Sequence, residues 1–236
     1  MIRLTKSQKI KSIFILQHNP ESYVEPFINF IASKNIISRR LLLTKKTTGG
    51  DFDCLKKASG LVIIDQPKDL LIFEKSKGAI SNFFQQKKPI LGLGDVSDLC
   101  FKAIKIKVKY GEKVYGWNPV LKIIGPSFNN FDFSYPQKLL ILGNKFFSSE
   151  INSSTFFIRI LNQNFPILSK YRSLSILNYT NCMSENLLIE TSNRLEYIPN
   201  PFRQTKEELI HQGFEQLSLQ NEFSKAVWDD WCSQLI

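Results

Sequence analysis

The stretch Pro89-Ile-Leu-Gly-Leu-Gly-Asp-Val-Ser-Asp-Leu99 constrains this chain more than any other. A short apolar run suited to a buried strand passes through glycine straight into apolar residues at helical spacing, Val96, Leu99, Phe101 and Ala103. A sharp strand-to-helix elbow presents one side chain at a helix N-terminus, where the macrodipole and free N–H groups lower a thiol's pKa and stabilise negative charge. Gly94 stands at this elbow and offers no side chain.

The same alternation precedes the elbow. Ser12-Ile-Phe-Ile-Leu-Gln17 predicts a first buried strand ending in His18-Asn19-Pro20. Val24, Phe27, Ile28 and Ile31 then recur at helical spacing behind Glu21 and Glu25, whose charges suit a helix N-terminus. Leu41–Leu43 predicts a second strand before a Thr47-Thr-Gly-Gly50 loop, and Leu61–Ile64 a third behind Gly60. Leu71–Gln85 predicts a helix carrying Ile72, Ile80, Phe83 and Phe84 toward the sheet, and Pro89–Leu93 the fourth strand. Strands and helices in alternation imply parallel pairing through right-handed crossovers, with helices on both faces.

Downstream, Tyr115–Ile124, Lys138–Leu142, Phe156–Leu161, Leu174–Tyr179, Asn186–Glu190 and Arg194–Ile198 read as antiparallel strands, punctuated by Gly125-Pro126, Gly143-Asn144 and Asn181. Thr205-Lys-Glu-Glu208 has the spacing of a capping box and opens a C-terminal helix. On it Phe223, Val227, Trp231 and Leu235 recur every fourth residue, with Trp228 beside them, an apolar stripe expected to pack on the chain's own core.

Pro89–Ile104 followed by Tyr115-Gly-Trp-Asn-Pro-Val120 resembles the core of the class I glutamine amidotransferases, particularly their stand-alone GMP-synthase-like branch, over roughly residues 11–200. The resemblance implies a flavodoxin-like α/β fold, with a central mixed, mostly parallel sheet and helices on both faces. It implies a glutaminase built on a cysteine at the elbow, a histidine and a glutamate. Laid on that pattern, Gly94 takes the cysteine's place, and Leu195-Glu-Tyr-Ile-Pro-Asn200 falls on the histidine motif, so that Ile198 replaces the histidine and Asn200 the glutamate. Asp65 and Gln66 stand where the family has the paired glycines of its oxyanion loop. The expectation is a noncatalytic relative with no metal or cofactor. Its vacated site at Asp65, Gln66, Gly94, Asp95 and Asp98, flanked by Trp117, Asn118, Ile198 and Asn200, would bind a small molecule or a protein partner.

The remaining chemistry is thin. Glutamine hydrolysis needs a thiolate, a proton-shuttling histidine and donors for the oxyanion. The chain has two histidines, His18 at a strand end on the catalytic edge of a parallel sheet and His211 in the C-terminal helix. Cys100 falls well inside the helix after the elbow and reads as a buried thiol, and Ser97 has no neighbouring base in sequence. Asp65, Asp95 and Asp98 form the one enzyme-like set, an acid/base or cation-binding trio, although Asp95 and Asp98 also suit a helix N-terminus. Gly92-Leu-Gly94 is followed by Asp95 rather than Gly-Lys-Ser/Thr, which argues against a phosphate cradle. Trp117 is expected to pack beneath the site, while Asn118 and Asn200 offer hydrogen bonds to a ligand.

At 236 residues, 43 % of them hydrophobic, the chain is expected to form one domain over 1–236, with a helical segment from about residue 205. No apolar run is long enough for a membrane span and no signal-peptide pattern opens the chain, so a cytoplasmic protein is expected. Cys54, Cys100, Cys182 and Cys232 are scattered without metal-ligand spacing. The net charge of +10 favours anionic surfaces. Its one local concentration is Lys102, Lys105, Lys107, Lys109 and Lys113, where lysines alternating with Ile104, Ile106 and Val108 predict a strand with one basic face. That stripe lacks interleaved aromatics, so nucleic acid is not the favoured partner.

Overall fold

The structure, a computed structural model, describes residues 11–20, 22–44, 47, 52, 54–122, 138–149, 154–160, 163–179, 183–195 and 204–235. Its strands are β1 (Ser12–Gln17), β2 (Ile37–Leu42), β3 (Gly60–Ile64), β4 (Ile90–Leu93), β5 (Val108–Lys122), β6 (Lys138–Ser149), β7 (Ser154–Ile160), β8 (Gln163–Tyr171) and β9 (Leu174–Leu177). The helices are α1 (Glu25–Ser33), α2 (Leu70–Gln85), α3 (Ser97–Ala103), α4 (Glu185–Leu195) and α5 (Lys206–Ser233).

All the strands join one mixed sheet in the order β2-β1-β3-β4-β9-β8-β7-β5-β6. The first five in that order pair in parallel, and β8, β7, β5 and β6 extend the sheet antiparallel. The expected α/β architecture is therefore present. Period-two alternation divides each parallel strand between two cores. Ile13, Ile15, Val62, Ile64, Leu91 and Leu93 face α1 and α5, whereas Phe14, Leu16, Leu61, Ile63 and Ile90 face α2 and α3.

The stripe on α5 packs on its own sheet, with Phe223, Val227, Trp228, Trp231 and Leu235 all buried. Phe27 of α1 meets the Trp228 ring edge-on at 5.1 Å. Gly60 opens β3 because a Cβ there would lie 3.0 Å from the Trp231 ring and 2.5 Å from Leu235. Thr205 caps α5 through its hydroxyl, which accepts from the Glu208 amide at 3.1 Å, while the Glu208 carboxylate accepts from the Thr205 amide at 2.8 Å.

Several expectations are corrected. Asn186–Glu190 and Arg194–Leu195 are not strands but parts of the helix α4, which buries Leu188 and Ser192 one turn apart. β8 is an additional strand, with Pro166 opposite Phe157 at a break in its register against β7. β2 begins at Ile37, before the leucine run, because an edge strand exposed on both sides can be polar. The N-cap of α3 is Val96, one residue after the expected Asp95. The lysine stripe is not one strand face. Lys102 ends α3, Lys105 turns in the left-handed region at φ 61° and Lys107 lies in the connector before β5. The side chains of Lys109 and Lys113 lie outside the described residues, as do Ile198 and Asn200 entirely.

Candidate functional site

β3 and β4 run parallel in the register Leu61↔Ile90 to Ile64↔Leu93, so the residues that follow them, Asp65 and Gly94, emerge side by side at the carboxyl edge of the sheet. This is where open parallel sheets bind ligands. Gly94 has φ +80°, a conformation that costs an L side chain strain, and the chain turns there from β4 into α3. Its amide donates to the Leu177 carbonyl at 3.0 Å and its carbonyl accepts from the Val96 amide at 2.9 Å, so the elbow is bonded internally.

Asp65 closes the elbow from the neighbouring strand. Its backbone also takes the left-handed conformation, at φ 58°, and its amide donates to the Leu93 carbonyl at 3.2 Å. The side chain turns toward Gly94. A Cβ placed on Gly94 would lie 2.7 Å from Asp65 Oδ1, closer than real side chains pack. The Ser22 hydroxyl donates to the other carboxylate oxygen. Burial pushes the Asp65 carboxyl above the usual carboxylate range, and the Ser22 hydrogen bond only partly offsets this.

His18 fixes that turn from below. Its Nδ1 lies 2.7 Å from the Asp65 carbonyl and 3.2 Å from that of Ile64, and carbonyls only accept, so Nδ1 carries the proton. Nε2 then accepts from the Ser76 hydroxyl at 2.8 Å. Burial holds the imidazole below its ordinary pKa, which agrees with a neutral ring making these contacts. The pair has the geometry of a base activating a serine, but Ser76 is 0 % exposed in mid-helix and no substrate can reach it. Its work is to pin the β3 turn. Sequence gave no sign of this network because its partners, Ser22, Ser76 and the Asp65 carbonyl, come from three separate segments.

Gln66 follows Asp65, and Asp95 follows Gly94, both half-buried at the same edge. Asp65, Asp95 and Asp98 do not form a cluster arranged to hold a metal ion. Asp98 is buried in the first turn of α3 and paired with Lys102 at 2.9 Å. Trp117 lies within a core of Leu140, Met183, Leu188, Leu209 and Leu217, where its indole N–H donates to the Leu209 carbonyl at 2.8 Å. Asn118 is fully buried in β5 and donates to the Gly116 carbonyl of its own strand at 2.7 Å. Cys100 packs close to Gly92, and complete burial pushes its thiol up to about 12, far from a thiolate at neutral pH. Among the described residues no cluster of His, Cys, Asp and Glu has the arrangement to hold a metal ion, and no helix is long and apolar enough to cross a membrane.

The third strand end at the elbow is that of β9, whose Leu177 carbonyl receives the Gly94 amide. Leu195, by contrast, closes the helix α4, and Glu196–Asn200 lie outside the described residues. The chain that leaves β9 beside the elbow is Leu177-Asn-Tyr179, with Thr180–Cys182 outside the described residues.

A glutamine amido transferase from Methylobacillus flagellatus superposes with a TM-score of 0.79 at 16 % identity, covering 97 % of this chain and 96 % of that one. The fold is glutamine amidotransferase-like. A glutamine amidotransferase from Thermotoga maritima matches at a TM-score of 0.59 and 13 % identity over 97 % of each chain. No family model and no curated protein matches the sequence. The architecture is thus shared with amidotransferases far beyond the reach of sequence identity.

Proposed function

We propose that this protein is a noncatalytic relative of the class I glutamine amidotransferases, kept for binding a small molecule or a protein at the carboxyl edge of its sheet. One observation carries the reading. The elbow residue is Gly94 at φ +80°, and the place of a side chain on it is taken by the Asp65 carboxyl at 2.7 Å. The site has therefore lost its nucleophile and filled the space in front of it.

The histidine is missing under either alignment of its motif, because neither Leu195–Asn200 nor Leu177–Cys182 contains one. His18, the one histidine near the elbow, directs both ring nitrogens at Asp65, Ile64 and Ser76. A neutral, hydrogen-bonding or cationic group suits the acidic rim left by Asp65 and Asp95 better than an anion does.

The test is glutamate release from glutamine by the purified protein against a heat-denatured control, with no turnover expected. Gly94→Cys alone should stay inactive, since no base would deprotonate the thiol and Asp65 would obstruct it. Robust turnover that survives replacement of all four cysteines, or that Cys100→Ser abolishes, would overturn the reading.

A further inference from the structure

The opposite, amino edge of the sheet carries a second feature. Among the described residues five other than glycine adopt positive φ, and three of them are basic residues on this edge: Lys87 (56°), Lys105 (61°) and Arg172 (54°). Lys87 follows α2, Lys105 follows α3, and Arg172 sits in the tight turn between β8 and β9, where Tyr171 pairs with Leu174. Such positions ordinarily take glycine or asparagine, as α1 does with Asn35. Helix-dipole compensation would account for a lysine near a helix end, but not for one in the strained position, and not for an arginine in a hairpin.

The fold also supplies the aromatic groups that the linear lysine stripe lacks. Phe84 and Tyr171 stack at 5.9 Å with planes 11° apart, and the exposed Arg172 guanidinium lies 5.4 Å from the Tyr171 ring centre and 6.0 Å from that of Phe84. Both rings lie within cation–π reach of this guanidinium, and Lys87, Lys105 and Lys107 add exposed cations on the same edge. Among the described residues none of these four cations has a carboxylate partner within salt-bridge range. Asp229 and Asp230 at the end of α5 are paired elsewhere, with Lys34 at 2.5 Å and Lys170 at 3.0 Å.

We propose that this edge binds single-stranded nucleic acid, with Lys87, Lys105 and Lys107 on successive phosphates and the Arg172 plane, backed by Tyr171 and Phe84, stacking on a base. The chemistry is complementary on both counts. Cations grouped on one edge can neutralise a phosphate backbone, and a guanidinium beside aromatic rings offers a planar group on which any base can stack. A lipid surface or a phosphopeptide would use the charges but has no use for the stacked plane.

The experiment is fluorescence anisotropy of the full chain with a labelled 15-residue oligothymidylate, titrated across a salt series. Binding should weaken steeply with salt, and Lys87→Gln/Lys105→Gln/Lys107→Gln should lower the log–log slope by about 2, at roughly 0.7 per phosphate contact for single strands. Arg172→Lys keeps the charge and removes the plane, so affinity should fall five-fold or more with the slope unchanged. Lys225→Gln, an exposed change on α5, should alter neither quantity. The proposal is overturned if no binding appears at low salt, or if the triple variant keeps the wild-type slope. It is equally overturned if Arg172→Lys binds as wild type, or if heparin and anionic vesicles compete as well as unlabelled oligonucleotide. Melting temperatures of all variants should match wild type or exceed it, because every altered side chain is exposed.

Discussion

The two edges of one sheet have taken opposite courses. At the carboxyl edge the turns after β3 and β4 face each other, and the left-handed residues Asp65 and Gly94 lie side by side, with the Asp65 carboxyl where a side chain on Gly94 would stand. At the amino edge the strained residues Lys87, Lys105 and Arg172 point away from the core and remain exposed. The left-handed conformation thus brings two turns together at one end and falls on exposed basic residues at the other. The difference follows from register. Parallel strands bring the ends of β3 and β4 to the same level, whereas the turns at the amino edge come from elements that do not pair at those residues.

The contrast can be broken most severely by removing the core that both edges share. Trp231→Ala, whose ring is fully buried between α1 and the start of β3, should cost about 3–5 kcal/mol. Chemical denaturation measures this, and the native mass by light scattering should not change, because the helix packs on its own chain. A smaller effect tests closure. Gly94→Ala should lose about 2 kcal/mol through its positive φ and its collision with Asp65. Adding Asp65→Gly should recover part of that loss, and a double-mutant cycle with no coupling would separate the two turns.

Display is tested next. Lys105→Gly relieves the left-handed strain and should stabilise the protein by about 1 kcal/mol in a thermal melt while weakening oligothymidylate binding. A gain in stability without loss of binding would mean that the lysine serves neither role. The smallest expected effect concerns charge at the closed edge. The folded protein holds Asp65 protonated to higher pH than the unfolded chain does, so ionisation costs stability as pH rises above the ordinary carboxylate value. Asp65→Asn, which suits the left-handed turn, should therefore raise the melting temperature modestly at pH 7. The gain should shrink toward pH 4, where both states of the wild type become protonated.

Much of the parallel half was legible in the sequence because strands buried on both faces are continuous apolar runs, as Ser12–Gln17 and Leu61–Ile64 are. The antiparallel half was read less well. Leu187-Leu-Ile189 is too short a run for its period to distinguish strand from helix, and the polar opening of β8 with Pro166 hides a strand that pairs on both sides. At the candidate site, spacing located Gly94 and Asp65 as separate departures from a pattern. Their contact depends on strand register, which no local signal encodes. The basic edge was similarly hidden, since Lys87, Lys105 and Arg172 become neighbours in character only when three turns share one edge.

The hydrogen bond from the Gly94 amide to the Leu177 carbonyl has a consequence for how the chain reaches this state. β4 and β9 are adjacent in the sheet yet separated in sequence by α3 and the whole antiparallel block. Closing that loop carries an entropic cost that local contacts do not repay until β5 to β8 are in place. The elbow is therefore expected to acquire its final geometry late in folding. Until then its turn lacks a bonding partner, and slow or faulty ordering of the distant hairpins would reach the closed site before it disturbed the strands on its other side.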